Sequence, residues 1–303
     1  MSSAPAPAGL ATPLRRVGVV GHPRYDTLPG ILARGAAVAR RHALQLFLEA
    51  ELHAVFAAGE VLREQDVPRL DLLLTFGGDG TLLRGARLVA PFGIPVLGVN
   101  FGHLGFLTAV SPDELEAALA AVLAGEVWFD ERMVLSAGIE SEAGVRQESF
   151  LALNDVVLHR GGVARMIRLV VRASDEEVGT YSADGIILAT PTGSTAYSLS
   201  SGGPIVAPSL QCIIATPICP HTLAVRPLLL PADERVSVEV VFPDEQIMLT
   251  VDGQVSAALA PGDRLLVSRA ALPLRLARLP GQTFFSTLRR KLRWGGLEDR
   301  EGR

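Results

Sequence analysis

Between Arg16 and about Gly125, short apolar runs alternate with stretches in which apolar residues recur at helical spacing. That alternation predicts strands over 17–20, 71–76 and 94–99 and helices over 31–42, 81–89 and 112–124. The last helix carries its own start signal: Ser111 precedes Glu114 by three residues, Pro112 takes the first helical position, and Gly125 closes the run. Strands that alternate with helices predict a Rossmann-like α/β domain around a parallel sheet. Beyond Val127 the helical period fades, and strand-like segments follow over 134–139, 156–158, 167–171, 236–242 and 247–251. Asp252-Gly253 then fits a type I′ hairpin turn, whose two central residues both need positive φ. This half is expected to be all-β, a β-sandwich. Helical spacing returns over 284–292, in a segment expected to pack back on the first domain. The resulting organisation is a disordered tail over 1–14, an α/β domain over 15–127, an all-β domain over 128–280 and a returning segment over 281–303.

Composition narrows the classes. The chain has 303 residues, 49% of them hydrophobic, enough for a large core and usually two domains. A net charge of −4 gives no overall basic footprint for nucleic acid or an anionic membrane. The run Arg289-Arg290-Lys291 with Arg293 reads as a solvated face, partly offset by Asp299 and Glu301. The longest uncharged stretch, 185–225, is broken by five prolines and the Gly202-Gly203 pair, so no membrane helix is expected there. The start has no signal-peptide pattern, and two cysteines cannot staple a chain of this length, so a cytoplasmic protein is expected. Cys212, Cys219 and His221 fit no standard metal spacing.

Several common phosphate-handling signatures are absent. Lys291 is the only lysine and follows no glycine run, which excludes a P-loop; G-x-G-x-x-G and G-x-S-x-G are missing too. The positive signals begin with Gly77-Gly78-Asp79-Gly80-Thr81, between an apolar strand and a helix. Glycines there let backbone N–H groups approach phosphate, and the helix N-terminus favours anions. An aspartate in such a loop either takes a proton from an attacking hydroxyl, helps hold a divalent ion, or simply tolerates a tight turn. A second glycine-bearing loop, from Asn100 to Leu107, follows the next strand; His103 within it has no identifiable acid partner and is assigned no role. Asn154-Asp155 interrupts an apolar strand, as a ribose diol site or a water-facing strand edge would. The block from Asp184 to Pro204 is dense in small hydroxyl residues that suit a pocket wall, with Tyr197 able to stack or hydrogen-bond. Arg84, about a helical turn past Gly80, either points at the same anions or is a surface arginine.

Taken in order, Gly77–Thr81, 102–108, Glu131-Arg132-Met133, 154–156, 184–204, Pro220-His221-Thr222 and Arg226-Pro227 resemble the NAD kinases over nearly the whole chain. The glycine loop is shared with lipid and sugar kinases; D-G-x-x-x-x-T-P-T-G-S-T-A-Y carries the specificity of the resemblance. It implies that Asp79 is the general base for transfer of the terminal phosphate of ATP to the 2′-hydroxyl of the adenosine ribose of NAD, giving NADP. It implies a phosphate-donor loop of Gly77, Gly78, Gly80 and Thr81, and a divalent metal, Mg²⁺, at residues it does not identify. It further implies dinucleotide contacts from Asp79, Gly80, Asn154, Asp155, Asp184, Thr195, Ala196, Tyr197, Ser198, Leu199 and Ser200, with Arg84, Arg165, Ser182 and Gln254 as further ligand positions. A homodimer or homotetramer is implied, with neither nucleic acid nor membrane as a partner. Asp155 departs from the glutamate more usual there, which shortens its reach by one methylene. The competing readings are a lipid or sphingoid kinase, which needs a long apolar slot, and a dinucleotide sensor without chemistry.

Overall fold

The computed structural model describes residues 13–102, 105–108, 110–141, 146–161, 166–222, 224–241, 246–260 and 262–294, with backbone alone for 146–148. Two units follow from the packing: one is built from residues up to Glu131 together with those from Leu274 onward, the other from Arg132–Pro273.

The first unit is organised by a seven-stranded sheet in the order Glu60–Val61, Gln45–Leu48, Arg16–Gly21, Leu72–Phe76, Val96–Val99, Leu274–Arg278, Trp128–Arg132. The first six strands pair in parallel, with Val19 beside Leu74 and Leu74 beside Leu97. Leu72–Phe76 is buried along its whole length, as a strand covered on both faces must be. After Arg16–Gly21 the chain builds outward to one edge, then returns to build the other way from Leu72–Phe76. The crevice where open α/β sheets bind ligands therefore opens at the carboxyl ends of these two strands, and the glycine loop starts there. Helix Asp79–Val89 follows it directly and buries Leu82, Leu83, Ala86 and Val89 at helical spacing.

Expected helix 112–124 is present with its first turn tightened: a 3-10 turn over Pro112–Glu114 leads into Leu115–Ala124. Its capping box forms, the Ser111 N–H donating to Glu114 Oε2 at 2.9 Å. Helix Phe284–Leu292 also forms, opened by Thr283, whose Oγ1 accepts from the Ser286 N–H. Two differences concern the ends of this unit. Residues 1–12 of the expected tail lie outside the described residues, while Leu14 is buried in the core with Val17, Leu28 and Leu72. The chain also rejoins this unit at Leu274, before residue 281, because strand Leu274–Arg278 continues its sheet.

The second unit is two six-stranded antiparallel sheets. One runs Glu176–Ala183, Ile167–Ala173, Val236–Val241, Arg264–Arg269, Leu135–Glu140, Arg146–Ala152. The other runs Leu228–Pro231, Cys212–Ile218, Gly185–Ala189, Asp155–Arg160, Ile247–Val251, Val255–Leu259. Their inner faces share one core: Leu135, Leu169, Val238 and Leu265 meet Val156, Leu158, Ile186, Leu188 and Leu249. Strands Leu135–Glu140, Val236–Val241 and Ile247–Val251 alternate buried and half-buried residues. Gly185–Ala189 is buried throughout because Ile187 and Ala189 pack on its far face with Val157, Val206 and Ile214. Within the neutral stretch 185–225, the strands Gly185–Ala189 and Cys212–Ile218 are the largely buried parts.

Candidate functional site

In the first unit, strand Leu72–Phe76 delivers Gly77-Gly78, and Asp79 takes the first helical position after Gly78. A carboxylate there meets the positive end of the helix. Residues 105–108, the first three of them from the expected second glycine loop, close over it. The Leu107 and Thr108 N–H groups and the Thr108 hydroxyl donate to Asp79 Oδ1 at 3.1, 3.1 and 3.2 Å. The Phe106 N–H donates to Oδ2 at 2.8 Å. Oδ1 is therefore saturated, whereas Oδ2 keeps acceptor capacity for a proton or a further donor. Gly105 is required by this approach: a Cβ there would overlap the Asp79 carboxylate and Thr108 Oγ1. The two glycine motifs thus form one assembly, with Gly80 exposed beside it. His103 lies outside the described residues.

Arg84 does not stand open on its helix. Its guanidinium is paired with the Glu49 carboxylate and also donates to the Gly21 carbonyl at 2.9 Å. Glu49 was not singled out from the sequence, and no local motif marks it.

In the second unit a cavity of about 490 Å³ is lined by Asn154, Asp155, Val157, His159, Arg160, Asp184, Ala196, Tyr197, Ile218, Thr250, Asp252 and Gly253. The segment Leu153-Asn154-Asp155 is fixed from two sides. The Thr190 hydroxyl donates to the Leu153 carbonyl at 2.5 Å, the Thr190 N–H to the Asn154 carbonyl at 2.9 Å, and Gly193 lies so close to that carbonyl that a Cβ would overlap it. From the other side, Asp252 Oδ1 accepts from the Asn154 and Asp155 N–H groups at 2.8 and 3.2 Å, and Oδ2 from the Leu153 N–H at 3.1 Å.

Asp252 and Gly253 have φ of +49° and +64°, the positive pair a type I′ turn requires, and the Gln254 N–H donates to the Val251 carbonyl. The sequence marked this turn; that its aspartate reaches back onto the Asn-Asp pair was not foreseen. Burial, and then the Asp252 charge, push the Asp155 carboxyl up to about 7.

At the far wall Arg160 and Asp184 are paired at 3.3 Å. His159 donates from Nδ1 to the Arg160 carbonyl at 2.8 Å, leaving Nε2 to meet the Thr250 hydroxyl at 3.0 Å. His159, Arg160, Thr250 and Asp252 are cavity residues that sequence reasoning missed.

The hydroxyl-rich block contributes less lining than expected. Ala196 and the exposed Tyr197 face the cavity. Buried hydroxyls must find partners, and here those partners lie within the fold: Ser194 bonds to the Pro191 carbonyl and the Val206 N–H, and Ser198 to Thr216. Thr195 donates to the Thr192 carbonyl. Leu199, Ser200 and Gln254 do not line the cavity, nor does Ser182, which sits on strand Glu176–Ala183. Arg165 lies outside the described residues.

Among the described residues no three or more His, Cys, Asp or Glu side chains converge as a metal cage. Mg²⁺ is usually held through one or two carboxylates plus substrate phosphates, and Asp79 is the carboxylate that stands at the glycine loop. Both cysteines are free thiols. No helix among the described residues is long and apolar enough to cross a membrane.

Two family models match successive parts of the chain. Residues 34–127 match the ATP-NAD kinase N-terminal domain and residues 153–279 the ATP-NAD kinase C-terminal domain. A NAD kinase of Gemmatimonas aurantiaca is 50% identical over 288 residues, 95% of this chain and 99% of the relative. One from Geobacter sulfurreducens is 41% identical, covering 93% of this chain and 99% of its own length. Among solved structures, yeast NADH kinase complexed with NADH superposes with a TM-score of 0.86 at 27% identity, covering 94% of this chain and 89% of that one. A NAD kinase from Archaeoglobus fulgidus in complex with ATP gives 0.72 at 27% identity, covering 92% and 98%. With both domains matched in order and a full-length relative at half identity, the chain belongs to the NAD kinase family.

Proposed function

We propose that Asp79 is the general base of the NAD phosphorylation that this enzyme catalyses. The observation that carries the assignment is the Asp79 carboxylate, oriented by four donors with only one of them on Oδ2. In this reading ATP is the phosphate donor, and Oδ2 takes the proton from the adenosine ribose 2′-hydroxyl as its oxygen forms the bond to the terminal phosphorus and ADP leaves. NADP is the product. A positioned base supplies roughly 10²- to 10⁴-fold, and the remainder comes from alignment and from neutralising the phosphates. The loop of Gly77, Gly78, Gly80 and Thr81 would face the donor phosphates; the Gly77 and Thr81 N–H groups already donate to the Val99 and Gly78 carbonyls, so those two residues would act through the field of the helix N-terminus and the room the glycines leave. Mg²⁺ would enter with the triphosphate and offset its charge.

In the second unit, the Asn154 amide and the Asp155 carboxylate are suited to a ribose diol, and Asp184 and Tyr197 to the rest of the dinucleotide. The same proposal includes a homodimer or homotetramer in the cytoplasm. A long apolar slot for a lipid acceptor finds no support in a cavity walled by Asp155, Arg160, Asp184 and Asp252. The test is NADP formation from NAD, ATP and Mg²⁺, coupled to an NADP-specific dehydrogenase. Asp79→Asn is expected to bind NAD and to lose at least 10²-fold in turnover; near-normal turnover would sink the general-base assignment.

A further inference from the structure

The carboxylate of Asp79 is held by peptide groups whose other ends are also held. The Leu107 N–H that donates to Oδ1 shares its peptide unit with the Phe106 carbonyl, and that carbonyl accepts from Arg278 Nη2 at 3.4 Å. The Thr108 N–H that donates to the same oxygen shares its unit with the Leu107 carbonyl, which accepts from Arg278 Nη1 at 2.9 Å. Two consecutive peptide groups therefore lie between a guanidinium and a carboxylate, each with its oxygen toward the cation and its N–H toward the anion. In such a chain every hydrogen bond polarises the next, so the groups hold one another more firmly than isolated pairs would.

Arg278 is itself fixed. It is 7% exposed, ends the strand Leu274–Arg278, and directs Nε to Asp130 at 3.3 Å. Strand pairing sets where its backbone sits, and the rigid planar fork serves both carbonyls and Asp130 at once, from three separate nitrogens that one ammonium does not supply.

We propose that Arg278 is a positioning residue for phosphoryl transfer: acting through the peptide groups 106–107 and 107–108, it fixes the loop that orients the Asp79 carboxylate. The inference rests on Asp79 being the base. It assigns no contact with substrate to Arg278. Loss of the fork is expected to lower kcat and to leave NAD binding alone, because misplacing a reacting group by about 1 Å costs on the order of 10²-fold.

The test compares Arg278→Lys, Arg278→Met, Asp79→Asn and the double variant Asp79→Asn/Arg278→Lys. Thermal melting, NAD affinity by calorimetry, and kcat with KM for NAD are measured on each full-length protein. Arg278→Lys keeps a cation beside Asp130, so it carries the test if Arg278→Met fails to fold. Expected are a kcat lowered about 10- to 100-fold per folded molecule, NAD affinity within about twofold of wild type, and no further loss when Arg278→Lys is added to Asp79→Asn. A folded Arg278→Lys protein with kcat within about twofold of wild type overturns the proposal, and so do losses that multiply in the double variant. Retained turnover in Asp79→Asn instead removes the base assignment, an outcome read from that variant alone.

Discussion

Asp155 is the residue whose ionisation has the clearest consequences. Burial and the neighbouring Asp252 charge raise its carboxyl from an ordinary 3.8 to about 7 in the folded protein. The folded state therefore holds a proton that the unfolded chain gives up near 3.8. This contribution to stability is full below that pH and is lost as pH rises towards 7. Charged or titratable neighbours in the same cavity are Asp184, Arg160, His159 and Tyr197. Asp155→Asn, which cannot ionise, is expected to flatten the decline in melting temperature between pH 4 and 7, measured against wild type in matched buffers.

Ligand binding runs in the opposite sense. An ionised carboxylate only accepts, which suits two donating hydroxyls, so NAD affinity is expected to increase as pH passes 7. Removing the adjacent charge with Asp252→Asn should move that midpoint to lower pH, read by calorimetry across the range. A midpoint that stays in place would separate the two carboxylates.

At the scale of elements, the loop over 105–108 and the helix Asp79–Val89 work as one piece, joined where Gly105 admits the carboxylate. Gly105→Ala is expected to lower kcat about 10²-fold while NAD binding to the second unit persists, as assay and calorimetry would show. Elements announced by local pattern were legible in the sequence. Helix Phe284–Leu292, the Ser111–Glu114 capping box and the positive-φ turn at Asp252-Gly253 follow from residues adjacent in the chain.

Strand Cys212–Ile218 was hidden because Pro217 reads as a breaker, although it pairs opposite Ile186. Gln45–Leu48 was too short for its alternation to show. Within the sites, Asp79, Asn154 and Asp155 stand in motifs, whereas their supports act across the fold. Asp252 is 98 positions from the Asn154 amide it holds, and Arg278 is 171 positions from the Leu107 carbonyl. Glu49 is 35 positions from Arg84. No periodicity encodes such pairs, because the contact exists only once the sheets have formed.

For the whole molecule, the instructive feature is that one unit is continuous in sequence and the other is not. Residues Arg132–Pro273 carry both antiparallel sheets and the cavity at Asp155, while the first unit needs Leu274–Arg278 to extend its parallel sheet. A chain cut after Pro273 loses that strand, the helix Phe284–Leu292 and Arg278 together. It is expected to form no NADP, and under limited proteolysis residues up to Glu131 should be digested before Arg132–Pro273.

The discontinuity also fixes an order of events during biosynthesis. A ribosome adds roughly 5–20 residues per second, and domains generally fold as they emerge. The glycine loop leaves the ribosome early, yet its guanidinium clasp is made only after residue 278 has been translated, 171 positions beyond Leu107. For that interval, on the order of ten seconds or more, the nascent chain carries the Asp79 carboxylate without that restraint. With Asp79 and Arg278 in their proposed roles, competence for turnover arrives near the end of translation, with the strand that carries Arg278.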